Sequence, residues 1–100
     1  DLRNSKVFDL CKNLNSKGNK VFVYDPLIQN KIKNKNFIFS NTLNFKNKFD
    51  GIFLAVPHKE IMNNLSKLNK FLNNDSIIYD LKSVISKNFK FKRNVKIINF

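Results

Sequence analysis

The sequence has few of the residues on which several classes of site depend. Its 100 residues include one cysteine and two glycines. A lone cysteine, Cys11, cannot form an internal disulfide, which favours a reducing compartment. The two glycines, Gly18 and Gly51, cannot supply a Gly-x-Gly-x-x-Gly turn or a phosphate-binding loop. We therefore expect no disulfide framework and no dinucleotide binding by these residues alone.

Long hydrophobic runs are also missing. The longest, Ile52–Val56, is far shorter than the roughly 20 apolar residues of a membrane helix. The first residues lack the charged and then apolar layout of a secretion signal. A hydrophobic content of 42% over 100 residues suits one compact core. We expect a cytoplasmic protein without a membrane partner, forming a single domain over residues 1–100.

Acidic residues are scarce, with seven against 19 basic ones and a net charge of +12. Such an excess suggests nucleic-acid binding, because clustered cations neutralise phosphates. However, the lysines are scattered along the chain, and arginine, which makes bidentate phosphate and base contacts, occurs only twice. AT-rich codons explain the abundance of lysine, asparagine, isoleucine and phenylalanine without a ligand. A small basic module that binds nucleic acid or protein therefore remains the alternative function.

Helix and strand patterns alternate along the chain. Apolar residues at helical spacing (Val7, Leu10, Cys11 and Leu14) predict a helix over residues 4–17 that Gly18 ends. The predicted strands cover residues 20–25, 37–39, 51–56, 76–81 and 95–100, a second helix covers 59–72, and residues 82–94 form a short helix or a loop. This alternation favours an α/β fold with a Rossmann-like, doubly wound and mainly parallel sheet. Because a helix comes first, we expect truncation, with the first strand upstream of Asp1.

Polar side chains cluster where the predicted strands end, the edge at which open parallel sheets bind ligands. Arg3, before the first helix, could orient a diphosphate or pair with Asp1 for structure alone. Lys82 could bind phosphate or be a solvated lysine. His58 could donate to a ligand, cap the following helix or simply lie at the surface. Asp25 is expected to turn the chain before the next residue, a proline.

Cys11 lies on the apolar face of the first helix and is expected in the core. His58 has no second histidine, cysteine or acid at metal-ligand spacing and no paired nucleophile, so we expect neither a metal site nor triad chemistry. The chain is thus predicted to contain binding residues and no catalytic residue.

Four segments, "DLRNSKVFDL", "GNKVFVYDP", "FDGIFLAVPHKEI" and "IIYDLKSVI", together resemble the C-terminal, UDP-binding domain of the UDP-glucose/GDP-mannose dehydrogenase family. The forms "AVPHKEI" and "YDLK" resemble the branch that acts on UDP-N-acetylhexosamines for capsule or O-antigen polysaccharide synthesis. A Rossmann-like domain of another nucleotide enzyme stays a further alternative.

The resemblance implies an oxidoreductase that converts a sugar C6 alcohol to a carboxylate with two NAD. In such enzymes NAD and the catalytic cysteine belong to the rest of the dehydrogenase chain, the full enzyme forms a homodimer, and the C-terminal domain holds the UDP-sugar. Asp1 and Arg3 match the family's Asp-x-Arg. Lys82 stands where many relatives carry arginine, with Asp80 steadying it. His58 is added to these substrate-binding residues on its position at a strand end alone.

Overall fold

The computed structural model describes residues 5–28 and 35–100. The chain divides into two compact units, Asp1–Phe45 and Lys46–Phe100. Across the described residues, no helix has the length and apolar character needed to cross a membrane.

The first unit contains one helix and a two-stranded parallel sheet. Helix α1 spans Ser5–Ser16, strand β1 spans Val21–Tyr24 and strand β2 spans Phe37–Ser40. The strands pair in parallel over their whole length. The buried core of this unit consists of Cys11, Val21 and Phe37, with Val7, Phe8, Leu14, Val23 and Phe39 packed against it. The predicted helix, both strands and the core position of Cys11 are confirmed.

Gly18 ends α1 as predicted. Its φ of +91° lies in the region that side chains with a Cβ rarely adopt. The amide of Asn19 donates to the carbonyl of Leu14 at 3.1 Å, and the amide of Gly18 donates to that of Asn15 at 3.0 Å. These are the two bonds of a Schellman motif, which satisfies carbonyls that the last helical turn leaves without partners.

The second unit is built on a three-stranded parallel sheet in the order β3-β4-β5. Strand β3 spans Phe49–Leu54, β4 spans Leu72–Asp80 and β5 spans Lys96–Asn99. The α/β class with parallel strands is confirmed. The described strands form two sheets, whereas the alternation of elements suggested one.

The continuous helix predicted over residues 59–72 is wrong. Helix α2 spans only Lys59–Met62, and a 3-10 helix spans Leu65–Phe71. Asn64 interrupts the helix with φ −137°, and its side-chain amide donates to the carbonyl of Glu60 at 3.1 Å. Asparagine competes in this way for backbone partners within helices. The apolar spacing still identified the buried residues Ile61, Leu65 and Leu68.

Strand β4 begins earlier than predicted, and its pairing with β3 contains an irregularity. Phe49 pairs with Leu72, but Gly51 already pairs with Ile77. The Ser76 hydroxyl, 2% exposed, donates to the carbonyl of Phe49 at 2.6 Å and accepts the amide of Asn73 at 2.9 Å. This shift in register places the end of β4 beside the end of β3.

Residues 82–94, between β4 and β5, contain no helix. Of the two predicted forms, a short helix or a loop, the loop is observed. This loop begins with Lys82, a residue of the candidate site, and contains a group of basic residues over positions 87–93.

Candidate functional site

The carboxyl edge of the three-stranded sheet brings together segments that are distant in sequence. Leu54 pairs with Asp80, and Asp80 pairs with Asn99. Beyond the last pair, the amide of Leu81 donates to the carbonyl of Leu54 at 3.2 Å. The segments that carry His58 and Lys82 therefore leave neighbouring strands at one edge of the sheet, where parallel α/β sheets bind ligands.

Asp80 organises the turn that follows β4. The residue is fully buried, and its Oδ1 accepts the amide of Val84 at 3.0 Å. Its Oδ2 accepts the amide of Ile85 at 2.8 Å, and its carbonyl accepts the amide of Ser83 at 3.2 Å. A buried carboxylate needs such donors, since an unpaired buried charge is costly. These three bonds fold residues 80–85 into a closed turn, called the Asp80 turn below.

Lys82 is an exposed residue inside the Asp80 turn. Asp80 holds the turn around it, because Oδ1 accepts the amide of Val84 and Oδ2 that of Ile85; that Asp80 also steadies the Lys82 side chain stays a prediction. In the described part of the chain, no carboxylate forms an ion pair with the Lys82 ammonium. Lys82 is thus an exposed positive residue whose backbone lies just beyond the carboxyl end of β4.

Ser83 has a left-handed backbone with φ +52°, which is uncommon for a residue with a Cβ and costs on the order of 1 kcal/mol or more. Its hydroxyl donates to the carbonyl of Phe100 at 2.7 Å. That bond ties the Asp80 turn to the segment that follows β5. Strained residues of this kind concentrate at binding sites, and Ser83 directly follows Lys82.

His58 lies at the start of α2. Its backbone carbonyl accepts the amides of Ile61 and Met62, both at 3.0 Å. Its side chain forms no capping hydrogen bond, so the capping role weighed for the imidazole is wrong. The side chain is half-buried.

The remaining predicted positions divide into three cases. Asp1 and Arg3 lie outside the described residues, so their phosphate contact stays a prediction. Asp25 turns the chain as predicted: its Oδ1 accepts the amide of Leu27 at 2.8 Å, and its carbonyl accepts the amide of Ile28 at 3.1 Å. Burial raises the pKa of the Cys11 thiol, and a backbone hydrogen bond lowers it in part.

The described residues contain no group of three or more histidine, cysteine, aspartate or glutamate side chains able to hold a metal ion. Within the chain, Gly18 ends α1 and Gly51 lies inside β3. Neither stands at a strand-to-helix turn, where a dinucleotide pyrophosphate requires glycine. The chain's own residues therefore do not fit NAD.

One feature of the second unit was missed in the sequence. A cavity of about 360 Å³ lies beside the loop before β5, and its lining includes Lys87, Lys90, Lys92, Arg93, Phe89 and Phe91. We call it the basic cleft. The sequence does contain a signal for this cleft, a dense run of cations over residues 87–93. Treating the lysines as scattered along the whole chain overlooked it.

Comparison with protein families gives a match over residues 1–87 to the UDP-glucose/GDP-mannose dehydrogenase family, UDP binding domain. No curated protein matches the chain, and no solved structure does. The family match includes all four segments on which the resemblance rests. It does not favour the alternative of a nucleic-acid- or protein-binding module.

Proposed function

The chain belongs to the UDP-glucose/GDP-mannose dehydrogenase family, and on that premise we propose that residues 1–100 form the substrate-binding domain of a nucleotide-sugar 6-dehydrogenase. The enzyme oxidises a sugar C6 alcohol to a carboxylate with two NAD. This domain holds the UDP part of the substrate. NAD and the catalytic cysteine belong to other parts of a cytoplasmic, homodimeric enzyme.

The position of Lys82 is the observation that carries this proposal. Lys82 leaves the central strand of the sheet at its carboxyl end, inside the Asp80 turn. A lysine ammonium binds phosphate as a compact point charge, and here no carboxylate among the described residues competes for it. A diphosphate at this edge would meet Lys82 from one strand end and His58 from the neighbouring one.

Arg3 and Asp1 are proposed as a separate phosphate contact of the first unit, on their match to the family's Asp-x-Arg. In the sequence they lie within the four residues before α1, and backbone amides at a helix N-terminus favour bound anions. An arginine such as Arg3 can offer phosphate a planar fork of donors, and Asp1 would orient that fork. Lys82 alone provides a weaker contact than an arginine would, because it lacks bidentate geometry.

The forms "AVPHKEI" and "YDLK" favour a UDP-N-acetylhexosamine as the substrate. On this proposal the product is a UDP-hexosaminuronic acid for surface polysaccharide synthesis. Binding of UDP-N-acetylglucosamine at least as tight as that of UDP-glucose would support this branch, and the reverse order would contradict it.

Calorimetric titration with UDP tests the site. We expect Lys82→Gln to weaken UDP binding about tenfold, since a hydrogen bond to a charged group contributes about 1.5–3 kcal/mol and this lysine is exposed. Lys82→Arg should bind at least as well as the unaltered chain. Lys67→Gln, an exposed lysine in the 3-10 helix, is the matched control and should change affinity less than twofold.

Two results would contradict the proposal. One is the absence of UDP binding by a chain whose circular dichroism and melting show that it is folded. The other is an equal loss of affinity in Lys82→Gln and Lys67→Gln, which would reduce the role of Lys82 to its net charge.

A further inference from the structure

The basic cleft combines positive charge with an apolar wall. Its four cations are Lys87, Lys90, Lys92 and Arg93, and no acidic residue lines it. Among the described residues, none of the four forms an ion pair. The rings of Phe89 and Phe91 meet edge to face, with centroids 4.8 Å apart, and both line the cavity.

This arrangement raises the electrostatic potential inside the cleft. Like charges along a concave surface focus their field, and walls of low dielectric constant strengthen it. The rings of Phe89 and Phe91 give part of the wall a low dielectric constant, which reduces the screening of nearby charges. An anion that enters relieves the repulsion among four cations that lack a counter-charge.

Two hydrogen bonds hold the loop of the cleft in place. The guanidinium of Arg93 donates to Oδ1 of Asn74 at 2.7 Å, and the amide of Lys92 donates to Oδ1 of Asn69 at 2.8 Å. Asn69 belongs to the 3-10 helix and Asn74 to β4. The loop is therefore attached to both elements before any ligand binds, which lowers the entropic cost of binding.

We propose that the basic cleft is a second anion site, which takes a small phosphate compound carrying at least two phosphoryl groups. This second site goes beyond the proposed function, because the family match ends at residue 87 and three of the four cations follow that residue. Its volume of about 360 Å³ lies near the lower end for ligand pockets, about 300–1,000 Å³. The ligand is therefore small.

Titration of the 100-residue chain with inorganic pyrophosphate tests this site, by calorimetry and by amide chemical shifts. We expect Lys90→Gln/Lys92→Gln to weaken pyrophosphate binding at least about tenfold, since two charge-assisted contacts are lost. The matched control is Lys46→Gln/Lys67→Gln, which removes the same charge from exposed positions of the same unit. It should weaken binding less than threefold.

Chemical shifts in the unaltered chain give a second measurement that does not depend on how the variants fold. Shifts confined to residues 85–99 support the proposal. Absence of binding, equal loss in both double variants, or shifts confined to residues 58 and 80–84 would overturn it.

A third variant separates this site from the proposed substrate site. Lys82→Gln should leave the pyrophosphate shifts at residues 85–99 unchanged while UDP binding weakens. In the unaltered chain, pyrophosphate shifts at residues 85–99 without UDP binding would contradict the proposed function alone, and UDP binding without these shifts would contradict the second site alone. Loss of the cleft shifts in Lys82→Gln would overturn the claim of a second site.

Discussion

Replacing Asp80 by alanine should be among the most damaging single changes in the second unit. The substitution removes two acceptors and leaves the amides of Val84 and Ile85 without their partners at 3.0 and 2.8 Å. Each hydrogen bond to a charged group contributes about 1.5–3 kcal/mol, which gives a gross loss of about 3–6 kcal/mol. Removing a buried carboxylate also removes its desolvation cost, which offsets part of that loss. We expect a net destabilisation of about 2–4 kcal/mol.

Urea unfolding followed by circular dichroism measures this effect. With a slope of about 1.5 kcal/mol per molar urea, a loss of about 3 kcal/mol lowers the midpoint by about 2 M. Asp75→Ala is the matched control, because Asp75 is an exposed aspartate of the same strand. It should change the free energy of unfolding by less than about 0.5 kcal/mol.

Amide hydrogen exchange gives a local measurement for the same substitution. Val84 and Ile85 should lose protection in Asp80→Ala and keep it in Asp75→Ala. UDP binding should weaken as well, because Lys82 would no longer be held by the Asp80 turn. Equal midpoints for Asp80→Ala and Asp75→Ala, with Val84 and Ile85 still protected, would refute the argument.

Two further predictions concern the first unit and the glycines. Burial raises the pKa of the Cys11 thiol, so the thiol of the unfolded chain loses its proton at lower pH than that of the folded chain. The stability of the unaltered chain relative to Cys11→Ala should therefore fall as pH rises above about 8.5. A difference in urea unfolding that does not change with pH would contradict this prediction. Gly18→Ala should cost about 1–2 kcal/mol, since φ is +91°. Gly51→Ala should unfold at nearly the same urea concentration as the unaltered chain, because the added Cβ meets its nearest atom, in Tyr79, at 3.5 Å, an ordinary van der Waals contact. Equal losses of stability in the two glycine variants would refute the argument that the positive φ of Gly18 causes the loss.

The local elements with a strong pattern were predictable from the sequence. The spacing of Val7, Cys11 and Leu14 identified the helix α1 and its buried face, and Gly18 identified its end. The continuous apolar run at Ile52–Val56 identified strand β3, which spans Phe49–Leu54. In each case the signal is contained in a few adjacent residues, because side-chain direction repeats with the period of the element.

The sequence was less informative where side chains compete with the backbone. The apolar positions from Ile61 to Leu72 fit one helix, yet Asn64 interrupts it. In β4, the Ser76 hydroxyl supports a shift of register that no pattern of apolar residues indicates. Such breaks depend on which carbonyl lies within reach of one polar side chain, and that is known only once the chain is folded.

The sequence by itself determined the α/β class, the buried faces and the family, since these depend on periodicity and on four ordered segments within residues 1–87. Tertiary structure alone decided that Asp80 serves the backbone of its own turn and that Lys82 is the charge left exposed at the carboxyl edge. It also decided that cations at residues 87–93 surround one cleft. The physical reason is that charge and hydrogen bonding act through space, so their partners are set by pairing of the strands and by the turn after β4.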